Sequence, residues 1–79
     1  MKRTEIYEKL LAVFQEVFSM GELTIGDDTT SEDIQEWDSL SHIQMVVAVE
    51  KAFGIKFSSR EIMGWKNVGE MVDSIAAKR

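Results

Sequence analysis

Along residues 4–18 the apolar side chains Ile6, Leu10, Val13, Phe14 and Val17 follow one another in steps of three and four, and Tyr7, Leu11 and Phe18 widen the same stripe. That period belongs to a helix with one buried face. It returns further along the chain, whereas no strand-like alternation runs far enough to build a sheet. The helical period constrains this chain strongly because so little else is available to hold it together. A chain of 79 residues buries only about 60% of its unfolded surface and is marginal without a staple. Cysteine is absent and nothing resembles a metal cluster, so regular helix packing and end-capping must supply the stability. The lack of cysteine also removes any disulfide framework and any native thiol nucleophile, and it fits a reducing compartment.

The first helix is predicted to stop near Ser19, where "SMGELTIGDDTT" brings two glycines and several turn formers. A connection of about twenty residues follows, long for a structureless loop. Leu23, Ile25 and Ile34 are expected to pin it over the bundle, with one turn of helix at residues 31–35. A second helix is predicted over residues 39–53, ending at Gly54. Ile43, Met45, Val46, Val49 and Phe53 are assigned to its core-facing side. Ser58-Ser59-Arg60-Glu61 reads as a capping box for a short third helix, and Asn67-Val68-Gly69-Glu70 follows the same logic for the last. Val68, Met71, Val72 and Ile75 give that last helix one apolar face. The expected fold is all-α: a four-helix bundle of three longer helices and one short, with a long first connection, forming one domain over residues 1–79.

Nine basic residues against fourteen acidic ones leave a net charge of −5. Such a field repels nucleic acid and anionic membranes and attracts basic partner surfaces. No apolar run approaches the roughly 20 residues needed to span a bilayer. The opening "MKRTEIYEKLL" is amphipathic, with carboxylates inside it, and does not read as a secretory signal. A cytoplasmic monomer that neither inserts into membranes nor binds nucleic acid is expected.

The tripeptide Asp38-Ser39-Leu40 stands at the mouth of the second helix. With Asp38 as the cap, Ser39 falls in the first turn, where free backbone N–H groups and the positive end of the helix dipole converge. A phosphate esterified to Ser39 would sit in a site suited to an anion. The plainer reading is that Asp38 and Ser39 are only good helix-start residues.

The surroundings of the tripeptide favour the first reading. "DSL" opening the second helix, "VVAVEKAFGIKF" with Glu50, Phe53 and Ile55, and "NVGEMVDSI" in the last helix resemble the acyl carrier protein family. The likeness covers nearly the whole chain in element order, loop placement and length. It implies that Ser39 carries a covalent 4'-phosphopantetheine arm, attached from coenzyme A by a phosphopantetheinyl transferase. Asp38 and Leu40 complete the attachment site as its motif neighbours. The arm's thiol would hold an acyl or aminoacyl group as a thioester, delivered by a loading enzyme and passed to downstream transferases or synthases. The chain would then be a free-standing carrier and not itself an enzyme.

Other readings of the same residues compete with this one. Ser39 and His42 are three apart and share a helix face, yet no third group orients His42 and no oxyanion hole or glycine-rich elbow is visible. From Asp27, oxygen side chains fall at positions 1, 3, 5 and 7 of an EF-hand-like loop. The glycine required at position 6 is Glu32 and the closing glutamate is Asp38, so no metal site is assigned. Trp37 and Trp65 read as large packing residues, with Trp37 equally placed to anchor a partner. A helical interaction module without a prosthetic group is the alternative function.

The second helix departs from the pattern of fatty-acid carriers, whose exposed acids dock on basic enzyme surfaces. Here the exposed positions are taken to be Ser41, His42, Gln44, Val47 and Lys51, and Glu50 is the one carboxylate. Leu40, His42, Gln44 and Val47 are the expected partner contacts, and a dedicated pathway whose enzymes read shape and apolar contact is favoured.

Overall fold

The computed structural model describes residues 2–79 and contains four helices: α1 (Arg3–Phe18), α2 (Ser39–Phe53), α3 (Ser59–Gly64) and α4 (Val68–Lys78). Three are long and one short, as the spacing predicts. No strand occurs among the described residues. α1 packs mainly on α2 and secondarily on α4. The core is one cluster in which Ile6, Leu10, Phe14 and Phe18 of α1 meet Met45, Val46, Val49 and Phe53 of α2 and Val68, Met71, Val72 and Ile75 of α4.

Each helix end has an identifiable stop. α1 closes at Ser19, which takes the left-handed conformation (φ 53°) while the Met20 N–H donates to the Gln15 carbonyl at 3.0 Å. The nearby glycines made that stop legible, but a serine performs it. α2 ends at Gly54 with φ 66°, a conformation that glycine adopts without a Cβ penalty. α3 has its full capping box: Ser58 Oγ accepts from the Glu61 N–H at 3.1 Å, and Glu61 accepts from the Ser58 N–H at 2.9 Å. At α4, Asn67 accepts from the Glu70 N–H at 2.9 Å. Glu70 reaches one residue further back than the motif implies, accepting from Lys66 N–H at 3.3 Å.

The long first connection is held at several points. Ile34 is buried and Leu23 and Ile25 pack against the core. Gln15 donates from one side-chain nitrogen to the Gly21 and Leu23 carbonyls. The carbonyls of Asp27 and Thr29 accept from the Gly69 and Val68 N–H groups at 3.0 and 2.8 Å, so the connection caps α4 from outside. Arg3 bridges Asp27 and Asp73, and Tyr7 O–H also donates to Asp27. The helical turn expected at residues 31–35 does not form. Those residues instead make successive tight turns, with the Asp33 N–H donating to the Thr30 carbonyl and the Trp37 N–H to the Ile34 carbonyl, while the Asp33 carboxylate accepts from the Thr30 N–H at 2.8 Å.

Ile43 corrects the core assignment made from the sequence. It is 62% exposed, because α2 buries the arc through Met45, Val46, Val49 and Phe53 and Ile43 lies off that arc.

Candidate functional site

The site is built by the entry of the chain into α2. Asp38 is extended (φ −110°) and its carboxylate accepts from the Ser41 N–H at 2.9 Å, while Ser41 Oγ accepts from the Asp38 N–H at 2.8 Å. Ser41 Oγ also donates back to the Glu36 carbonyl at 2.8 Å. The hydrogen bond from Ser41 holds the Asp38 carboxyl below its ordinary range, so it is ionised near neutrality. Ser41 is therefore a cap partner and not the free surface residue expected. The usual capping-box signal has Glu or Gln at that position, so the reciprocal role of a serine was not legible.

With Asp38 and Ser41 holding the turn, Ser39 is exposed at the first helical position, and its hydroxyl has no hydrogen bond to any described residue. In particular, Ser39 and His42 are not bonded to each other. Trp37 lies half-buried beneath the motif. Its ring meets Phe14 edge-on (centroids 5.4 Å apart) and Phe18 at a tilt (5.9 Å), which fixes the helix mouth to α1. The Trp37 indole N–H donates to His42 Nδ1 at 3.0 Å. Burial pushes the His42 pKa down, and among the described residues no carboxylate is bonded to the ring. Among the described residues Ser39 and His42 form no nucleophile–base pair, because neither the bond between them nor the orienting group that such a pair needs is present.

The other expected contacts separate cleanly. Leu40 is 66% exposed and Val47 44%, and Gln44 is exposed as well. Ile43 joins them, so the apolar exposed strip is longer than expected. Glu50 leaves the exposed set: its carboxylate accepts from the Phe57 N–H at 2.8 Å. An open groove of about 310 Å³ runs beneath Ile43 and Val47, floored by Val46, Phe57 and Ile62. Trp65 is a packing residue, edge-on to Phe57 and bonded through its N–H to Ser74 Oγ at 2.9 Å. In the acidic connection, Asp27 turns to Arg3 and Tyr7, Asp33 to Thr30 and Asp38 to the helix cap. No three acidic or histidine side chains converge on one point among the described residues.

The four-helix bundle thus presents an exposed, unengaged serine at the mouth of its second helix. A family model described as a phosphopantetheine attachment site matches residues 8–75. The acyl carrier protein of Acidothermus cellulolyticus is 32% identical over 96% of this chain and 90% of its own length. That of Prochlorococcus marinus is 29% identical over 100% of this chain and 99% of its own. A solution structure of holo acyl carrier protein from Geobacter metallireducens superposes with a TM-score of 0.86 at 35% identity, covering 91% of this chain and 83% of that one. The chain belongs to the acyl carrier protein family. It is a phosphopantetheine-dependent carrier and not a catalyst.

Proposed function

We propose that the protein holds biosynthetic intermediates as thioesters on a 4'-phosphopantetheine arm attached at Ser39, and presents them to the enzymes of a dedicated pathway. The state of the Ser39 hydroxyl carries this assignment. Asp38 and Ser41 satisfy the helix cap between them, leaving Ser39 Oγ exposed and unpartnered at the positive end of α2. A phosphodiester formed there gains the dipole and the free N–H groups of the first turn. The arm supplies a terminal thiol. With no cysteine in the sequence, no side chain competes with it for acyl transfer. A cytoplasmic setting belongs to the same proposal, since a reducing compartment keeps that thiol free.

The choice of a dedicated pathway rests on the exposed face of α2. Residues 39–53 carry one Glu and one Lys, and the Glu is turned inward to Phe57. Leu40, Ile43 and Val47 offer a partner apolar contact, with Gln44 beside them. Transferase and loading enzyme are expected to approach this strip through shape and burial, with little help from charge.

Incubation with coenzyme A and a broad-specificity transferase should add one phosphopantetheine to the intact mass, and Ser39→Ala should add none. The alanine variant should fold with stability within about 0.5 kcal/mol of the parent. Equal labelling of the two proteins would place the arm elsewhere. No labelling of either would favour an interaction module without a prosthetic group.

A further inference from the structure

Trp37 and His42 stand on either side of Ser39 and are bonded to each other. The ring planes are 19° apart and the centroids 5.9 Å apart, a spacing set by the edge-on N–H bond of 3.0 Å rather than by face-to-face contact. An indole nitrogen only donates. His42 Nδ1 must therefore be the acceptor, and the neutral ring carries its proton on Nε2. Protonating Nδ1 would set two N–H groups against each other, and burial of the ring opposes the charge in the same direction.

His42 Nε2 has no partner among the described residues. No buried side-chain nitrogen or oxygen lacks a partner, so Nε2 reaches solvent. His42 lines an open hollow together with Ser31, Trp37, Asp38 and Ser39. Helical side chains lean toward the N-terminus, so a residue three positions after Ser39 reaches back toward it.

We infer that Trp37 and His42 are a positioning pair for the arm: the indole holds His42 as the Nε2–H tautomer, and that N–H donates to a non-bridging oxygen of the phosphodiester on Ser39. The inference rests on Ser39 being the attachment residue. A neutral donor orients the first bonds of the arm without placing another charge at the helix mouth. Three charged groups line the cavities that His42 lines. Asp38 shares the hollow, with its carboxylate on the Ser41 N–H. Lys66, from the α3–α4 connection, lines an adjoining cavity with Trp37 and His42. Glu50 shares the α2 groove with His42 and is bonded to Phe57. No α1 residue lines these cavities; Phe14 and Phe18 of α1 pack on Trp37.

NMR of nitrogen-labelled protein before and after modification tests the pair. In the unmodified parent, His42 should be the Nε2–H tautomer. Trp37→Phe keeps an aromatic ring against Phe14 and Phe18 but lacks the N–H; His42 should then show mixed tautomers and a raised pKa. Adding the arm to the parent should raise the His42 pKa, because an anion beside the ring favours its charged form. The phosphorus resonance should shift as His42 titrates. His42→Phe should displace that resonance from its parental position, while His42→Gln, which keeps a side-chain N–H donor, should restore it in part. A protein that is fully modified, yet whose His42 titrates alike with and without the arm and whose phosphorus resonance ignores all three substitutions, overturns the pairing and leaves Ser39 standing. A protein that takes no arm at Ser39 overturns the attachment assignment itself.

Discussion

Single side chains in this protein do their work by what they leave free or tie down. Ser39 is available because Asp38 and Ser41 saturate each other, and Trp37 sets the orientation of the ring beside it. Tyr7 shows the opposite case. Desolvation, and then its hydrogen bond to Asp27, push its pKa from 10.0 up to about 12. Asp27 moves the other way, lowered by the Tyr7 hydroxyl and then by Arg3. The raised Tyr7 value means that its contribution is complete below pH 10 and is lost as pH climbs toward 12. The depressed Asp27 value means that its share is present above the ordinary carboxylate value of 3.8 and is lost as pH falls below it. Denaturation midpoints measured across pH 10 to 12 should therefore fall for the parent and stay flatter for Tyr7→Phe. Parallel curves would mean that the Tyr7–Asp27 bond does not matter to folding.

At the scale of the elements, the first connection and α4 meet in a close backbone seam at Gly69. A Cβ on Gly69 would stand 2.9 Å from the Asp27 carbonyl oxygen and 3.1 Å from its Cα. Alanine there gains up to about 1 kcal/mol in helix propensity, but forcing two backbones apart costs about 1–3 kcal/mol. The neighbour is main chain and has no rotamer to yield, so Gly69→Ala should be destabilising in urea denaturation. Gly64 has nothing within 4 Å of an added Cβ, and Gly64→Ala should be neutral or stabilising. The exposed strip of α2 calls for a different measurement. Leu40→Ala and Val47→Ala should each shift stability by about 0.5 kcal/mol or less while slowing transfer of the arm or cargo. Met45→Ala, in the core of the same helix, should cost about 2–5 kcal/mol. If Leu40→Ala and Val47→Ala load at the parental rate, the partner surface lies off this strip.

At the scale of the whole molecule, the net charge of −5 is unevenly spread. Asp27, Asp28, Glu32, Asp33, Glu36 and Asp38 all fall in twelve residues without a base. Arg3 answers one of them from α1, and three have no side-chain ion pair or cap among the described residues: Asp28, Glu32 and Glu36. Their mutual repulsion is relieved by counterions. Millimolar calcium and magnesium should therefore raise the melting temperature slightly and to similar extents, and added monovalent salt should reproduce part of the rise by screening. Saturation by micromolar calcium with a large structural change would instead establish a specific loop site.

The sequence by itself determined the number, order and ends of the helices, because apolar period and cap chemistry are local: Gly54 and the Ser58–Glu61 box act within a few residues of where they are written. It also singled out Ser39 as the candidate attachment residue, where Asp-Ser-Leu is a weak signal alone and gains its weight from the likeness of the surrounding sequence to the carrier family. Tertiary structure decided what depends on which helix faces which. Only the packing of α2 on α1 could turn Ile43 outward while burying Met45 and Val46, for α2 is apolar over too wide an arc for its period to choose a side. The segment at residues 31–35, where a helical turn is expected from the sequence, also depends on the fold: Ile34 is drawn into the core and the chain around it makes successive tight turns. The Trp37–His42 bond also belongs to the fold, since no spacing rule pairs a residue before a helix cap with one inside its first turn until the chain's entry angle is set by Phe14 and Phe18.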